Sequence, residues 1–236
     1  MGFDNLSSPG LKDMFVQRIQ GMILSGELLM GSKLPTERTL AEQMRISRTV
    51  INSGLAELAE QGFLEVRPRQ GTYVADYRRQ GNLDTLAAIT RYREGALDRE
   101  DIRSVLEVRR SLEQLAADRA IRYASDETLE LLRVPITRIA AASNAGEAAQ
   151  AAFTFRHELA LAGGNTVAPM LFCSFRDPLI ALWVRFSGRY GNLAMVRNAE
   201  TLYSFLKKRD TDGAVCWINA YLERVISGSQ QVYEPK

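Results

Sequence analysis

The chain has 236 residues, 46% of them hydrophobic and 25% charged, and carries a formal net charge of +2. That length exceeds one typical domain and suits a small module followed by a larger one. The charge is too small for a broad basic field, so any affinity for nucleic acid must come from locally placed arginines and from pairing of two chains.

The most informative stretch runs from Leu34 to Val74. Thr36 is a helix N-cap, with Pro35 ending the incoming chain, and Leu40 and Met44 set an apolar stripe at i, i+4. After a turn at Arg45-Ile46, Ser47 caps a second helix with Val50, Ile51, Leu55, Leu58 and Ala59 on its inner side. Gly62 stops that helix. Two helices joined by so short a turn cross steeply, as in a helix-turn-helix. Residues 63–67 then alternate like a strand, Pro68-Arg69-Gln70-Gly71 is turn chemistry, and Thr72-Tyr73-Val74 is β-prone, which makes a wing.

The polar residues follow this geometry. The N-terminal end of the second helix, Ser47-Arg48-Thr49 with Asn52 one turn on, is where such modules enter the major groove. Arg48 offers paired donors to a guanine edge and Thr49 reaches a base or a methyl group. Arg38 on the preceding helix is a base or backbone candidate. Arg67, Arg69, Gln70 and Gly71 place the wing for a minor-groove or phosphate contact. Any one of these features alone also fits a solvated helix or a common hairpin; their order and spacing together make the case.

Residues 11–74 resemble the DNA-binding domain of the GntR family of bacterial transcription regulators. The resemblance is carried by Gly31, residues 34–38, Leu40-Ala41, Ser47-Arg48-Thr49, Leu55, Leu58, residues 62–64 and residues 71–74. Two departures stand out. The family often has Arg-Glu where this chain has Asn52-Ser53, and its wing turn usually has Gly where this chain has Arg69.

A polar connector is expected over 75–84, followed by an all-α domain over 85–230. Helices are expected at 83–89, 98–123, 126–143 with a kink at Pro135, 147–162, 167–190 with a kink or break at Pro178, 199–208 and 212–227. The expected fold is therefore mainly α: a winged helix-turn-helix with a small β-wing, then a bundle of six or seven helices. No apolar run spans a bilayer and no leader pattern opens the chain, so no membrane association and a cytoplasmic location are expected. Cys173 and Cys216 lack CxxC spacing and read as buried free thiols.

The C-terminal half resembles the ligand-binding domain of the FadR-type subfamily, through residues 106–109 with Glu113, Gly164-Asn165, and Asp210 with Ala214. Many relatives hold a divalent metal there through an Asp and three His. Counted from Gly164-Asn165, those positions carry Ala152, Arg156, a residue near Ala199, and Tyr221. The only histidine, His157, is one residue out of register and reads as an ordinary surface or boundary imidazole. No metal and no cofactor are therefore expected. Arg156 instead puts a cation where the metal charge would sit, and the resemblance places Arg109, Arg185 and Tyr221 around the same cavity. Arginines facing a cavity bind carboxylate or phosphate. The local likeness of Phe155-Arg156 and residues 183–190 to metal-free FadR-type members implies an acyl-CoA or another acidic, partly apolar metabolite. The bland alternative is that these arginines pair with acids of the bundle and the aromatics are plain core.

The resulting expectation is a homodimeric, sequence-specific regulator of palindromic DNA, most simply a repressor, controlled by that metabolite through the connector. A bundle serving only dimerisation, or a DNA-linked enzyme, are the other classes. One histidine and no nucleophile constellation argue against an enzyme.

Overall fold

The chain order places three helices, two strands and two further helices ahead of a long run of helices. The computed structural model describes residues 10–92 and 99–232, apart from the side chains at 90 and 91. Contacts divide the chain into two units, 1–94 and 95–236.

In the first unit, α1 (Leu11–Leu24), α2 (Glu37–Met44) and α3 (Arg48–Glu60) surround one core of Phe15, Val16, Ile19, Leu40, Ile51, Leu55 and Leu58. The expected caps form: Thr36 accepts from Thr39 N at 3.2 Å and Ser47 from Val50 N at 3.3 Å. Such caps are each worth about 1 kcal/mol. Helices α1 and α3 approach closely at Gly54, where a Cβ would meet Phe15 Cδ1 at 2.4 Å. Strands β1 (Leu64–Arg67) and β2 (Gly71–Val74) pair antiparallel, Leu64 opposite Val74 and Arg67 opposite Gly71. The incoming chain adds to the wing: Leu34 N donates to Thr72 O at 2.9 Å, and Lys33 bridges Tyr73.

The connector expected over 75–84 is instead part of this unit. It carries the short helix α4 (Tyr77–Gln80), Ala75 is buried, and Asn82 Nδ2 donates to Glu60 O at 2.9 Å. The next helix, α5 (Leu83–Tyr92), packs on α1 and contributes Ala88 and Ile89 to the first core. Its polarity misleads because this face is covered by hydrogen bonds: Thr85 Oγ1 donates to Gln61 O and Asn82 caps α5. The all-α domain thus starts later than residue 85.

The second unit contains α6 (Arg99–Tyr123), α7 (Asp126–Leu131), α8 (Arg133–Ala141), α9 (Ala145–Ala162), α10 (Ala168–Ser174), α11 (Arg176–Tyr190), α12 (Asn192–Lys207) and α13 (Thr211–Ile226). The expected start of α6 at Asp98 lies outside the described residues. Helix α9 is central, packed on α6, α8, α10, α11 and α12. Its alanines, Ala148, Ala149, Ala152 and Ala160, let the neighbours come close.

From residue 83 onward nine helices (α5 to α13) among the described residues replace the six or seven expected, because two expected helices break. The breaks fall at Leu132 and Phe175, each three residues before the proline blamed for them. Pro135 and Pro178 are the third residues of α8 and α11. There the missing N–H has no partner to lose, so the ring is tolerated and the helix ends one turn earlier. The N-termini of α9 and α12 also lie earlier than the expected 147 and 199. Both cysteines are free but exposed, not buried, since each sits on its helix outside the apolar stripe. No helix among the described residues is long and apolar enough to cross a membrane.

Candidate nucleic-acid interface and buried charge cluster

Ser47, Arg48, Thr49 and Asn52 lie exposed on the first turn and a half of α3. Among the described residues the Arg48 guanidinium has no hydrogen-bond or ion-pair partner; only its backbone carbonyl is engaged. A long cationic side chain held in water at a helix N-terminus is available to nucleic acid without breaking an internal bond. Asn52 is different. Its amide, oriented to satisfy both ends, donates to Glu37 Oε2 at 3.0 Å and to Arg48 O at 3.2 Å. It ties α3 to α2, so reading a base there would compete with that bond.

Arg38 is exposed and only loosely paired, 3.9 Å from Glu42. In the wing, Arg67 is engaged: Nη2 donates to Glu65 at 2.8 Å and the guanidinium lies 4.3 Å from the Tyr73 ring centroid. The Arg67 hydrogen bond draws the Glu65 carboxyl below its ordinary value, against a smaller upward push from burial. Arg69 and Gln70 are exposed at the wing turn, where Gln70 N donates to Arg67 O at 3.0 Å. Gly71 has φ +114°, and a Cβ there would meet Lys33 Cε at 2.7 Å. Lys33, whose ammonium lies 5.9 Å from the Tyr73 centroid, is a wing cation that no sequence pattern singles out.

In the second unit Arg109, Arg156 and Tyr221 do come together, around a residue not marked as a site: Glu113. Arg109 and Glu113 are one turn apart on α6, and Arg156 comes from α9. Both Nε atoms donate to the same oxygen, Glu113 Oε1, at 2.6 Å from Arg109 and 2.8 Å from Arg156. Arg156 Nη1 also donates to Ala152 O at 3.3 Å. The Trp183 ring of α11 serves both cations, 4.5 Å from Arg109 and 4.9 Å from Arg156. Tyr221 of α13, stacked on Trp217, lies 5.6 Å from Arg109.

All three charges are buried, with 2%, 0% and 2% exposure for Arg109, Glu113 and Arg156. Two guanidiniums and one carboxylate leave one net positive charge in the core. Arg109 Nη2 and Glu113 Oε2 have no hydrogen-bond partner among the described residues. Each unpaired buried atom costs about 1–3 kcal/mol. Burial works to raise the Glu113 carboxyl, but Arg109 and Arg156 outweigh it and hold it below the ordinary value. Burial pulls the Arg156 guanidinium down and Arg109 adds to this, with Glu113 opposing; a guanidinium stays protonated regardless.

Arg185 is half-buried on α11, two positions from Trp183 and so about 200° around the helix from it. Among the described residues the side chains hydrogen-bonded to Glu113 are those of Arg109 and Arg156. Phe153, Phe155 and Phe172 are buried as plain core. His157 is partly buried, stacked on Phe153 at 5.8 Å, with Nε2 3.3 Å from Cys173 Sγ. Among the described residues no three His, Cys, Asp or Glu side chains converge to hold a metal. Of the positions that the resemblance aligns with metal ligands, Ala152 is a buried methyl, Arg156 a buried cation and Tyr221 a buried phenol, and Ala199, near the remaining position, is a buried methyl as well. That donor set does not fit a metal.

Residues 11–74 match the family described as "Bacterial regulatory proteins, gntR family", and residues 104–224 match the FCD domain. The transcriptional regulator Mce2R of Mycobacterium tuberculosis is 37% identical over 50% of this chain and 48% of its own length. LutR of Bacillus subtilis is 30% identical over 61% of this chain and 64% of its own. The fatty acid metabolism regulator protein of Proteus mirabilis is 27% identical over 75% of this chain and 70% of its own. The chain thus spans about half the length of Mce2R. A solved structure described as Lar, which controls expression of the Listeria monocytogenes agr system, superposes with a TM-score of 0.65 at 15% identity. It covers 94% of this chain and 98% of its own, and supports the fold alone. These relatives are regulators, not enzymes. The chain belongs to the GntR family of bacterial regulatory proteins, with an FCD domain as its C-terminal part.

Proposed function

We propose that the chain is a DNA-binding transcription regulator whose operator affinity is set by a small acidic metabolite held in the FCD bundle. Two chains pair as a homodimer and place two α3 N-termini one DNA turn apart on a palindrome, acting in the cytoplasm as a repressor. Arg48 and Thr49 read bases. Arg38 and the wing residues Arg69, Gln70 and Gly71 contact the backbone or minor groove. Arg67 does so on release from Glu65.

The observation that carries the effector half is the net positive charge buried at Arg109, Glu113 and Arg156. An uncompensated charge in a protein interior costs several kcal/mol unless paired. A carboxylate, free or at the head of an acyl chain, supplies both the missing charge and an acceptor for Arg109 Nη2. Nε and Nη2 form one edge of the guanidinium, and Glu113 engages that edge through a single oxygen. Such a ligand shifts DNA affinity only by its differential affinity for two arrangements of the bundle. A bundle made for dimerisation alone has no use for this cluster.

Thermal unfolding of the full chain against short carboxylates and acyl-CoAs tests this. A true effector at about 100 times its Kd adds about 2.7 kcal/mol of stability. A Tm that no acid raises in a concentration-dependent way rejects the effector half.

A further inference from the structure

Among the described residues three other than glycine have left-handed backbone, and all are arginines: Arg45 (φ 53°), Arg69 (φ 63°) and Arg209 (φ 56°). That conformation crowds a Cβ and is adopted readily only by glycine. At Arg209 the side chain offsets the strain. Its guanidinium donates to Ala120 O at 3.3 Å, Ile121 O at 2.8 Å and Asp126 Oδ1 at 2.6 Å, tying the end of α6 to α7.

Arg45 has no such compensation. It is exposed, and among the described residues its guanidinium has no partner. Its contribution to the fold is made by its backbone, whose N–H donates to Ala41 O to close α2. Glycine would close that helix with less strain. A cationic side chain that costs the fold something and gives it nothing back has its use outside the fold.

The position says where. Arg45 lies in the turn between α2 and α3, two residues before the Ser47 cap and three before Arg48. The α3 N-terminus presents free N–H groups and a positive dipole end, which favour a phosphate. We propose that Arg45 is a DNA-phosphate contact, absent from the set expected from sequence, in the turn that leads into the recognition helix, three residues before Arg48. Its left-handed geometry is tolerated for the sake of that contact. This inference rests on the DNA-binding reading.

The test uses the full chain and a short mixed-sequence duplex, because a phosphate contact is blind to sequence. Affinity is measured over roughly 50–200 mM salt for wild type, Arg45→Gly and Arg45→Lys, with the Tm of each protein. Neutralising one phosphate contributes about 0.9 to the slope of log affinity against log salt. Arg45→Gly is expected to bind several-fold more weakly at low salt and to lose about that much slope per bound subunit, while its Tm stays level or rises. Arg45→Lys keeps the slope. Equal affinity and slope for Arg45→Gly, with wild type binding normally, overturns the inference and leaves the DNA-binding reading standing. A fall in Tm along with the lost affinity also overturns it, because the side chain then supports the fold. Wild type that binds no duplex even at low salt overturns both.

Discussion

The two units handle arginine in opposite ways. On the winged-helix unit Arg45, Arg48 and Arg69 sit in water with no partner among the described residues. In the FCD unit Arg109 and Arg156 are sealed in the core and share one carboxylate oxygen. The same side chain therefore has two physical roles. An exposed guanidinium contributes little to stability and remains available to a polyanion. A buried one is held by partners whose removal is costly, and any charge left over makes a specific site for a small anion.

That contrast breaks most visibly at Glu113. Replacing it with Gln leaves two guanidiniums facing each other without a counter-charge, and is expected to cost about 3–5 kcal/mol in urea unfolding. An unchanged midpoint would show that the cluster is not buried as a charged unit. Arg156→Met separates stability from sensing. It removes the excess cation yet leaves the Arg109–Glu113 pair, so stability is expected to hold or rise, since apolar replacement of a buried charge is often neutral or better. Any acid-induced rise in Tm should vanish in this variant; retention of that rise would move the effector elsewhere.

On the exposed side, Arg48→Ala is expected to leave Tm unchanged while costing roughly 1–3 kcal/mol of operator binding and relaxing preference at one base pair. Operator selection with the variant checks this, and an unaltered preference would remove Arg48 from base readout.

The smallest expected effect is a pH shift. The Glu113 carboxyl is held below its unfolded value of 4.5 by two cations that outweigh burial. Its contribution to stability is therefore complete above about pH 4.5 and is lost as pH falls through the lower, folded value, at about 1.4 kcal/mol per unit of depression. Arg156→Met removes one of those cations, so its acid loss should begin at higher pH than in wild type. Unfolding curves collected from neutral to acid pH show whether it does.

Much of the winged helix was legible because local chemistry decides it. Thr36 and Ser47 cap where they stand, Gly71 turns the wing, and Leu40, Ile51 and Leu55 face inward at helical spacing. Features set by distant contacts were not. The polar run after Val74 looks like a linker until Asn82 and Thr85 are seen bonded to the end of α3. Pro135 and Pro178 mark first turns of new helices, because a proline's cost depends on which N–H it removes. The resemblance points to the positions of Arg109, Arg156 and Tyr221, which the structure brings together, whereas nothing in the spacing singles out Glu113 as the acid the two arginines share. An Arg and a Glu four apart on a helix look like a surface ion pair until α9 and α11 close over them.

The most direct test of the account is operator binding measured with and without acid. Duplexes carrying inverted repeats from upstream of the coding frame are titrated with the full chain, then with short carboxylates and acyl-CoAs added. The expected result is sequence-specific binding by a dimer that shifts tenfold or more, about 1.4 kcal/mol, with one acid class in wild type and not in Arg156→Met. Specific binding that no acid alters, or an equal response in both proteins, would contradict it.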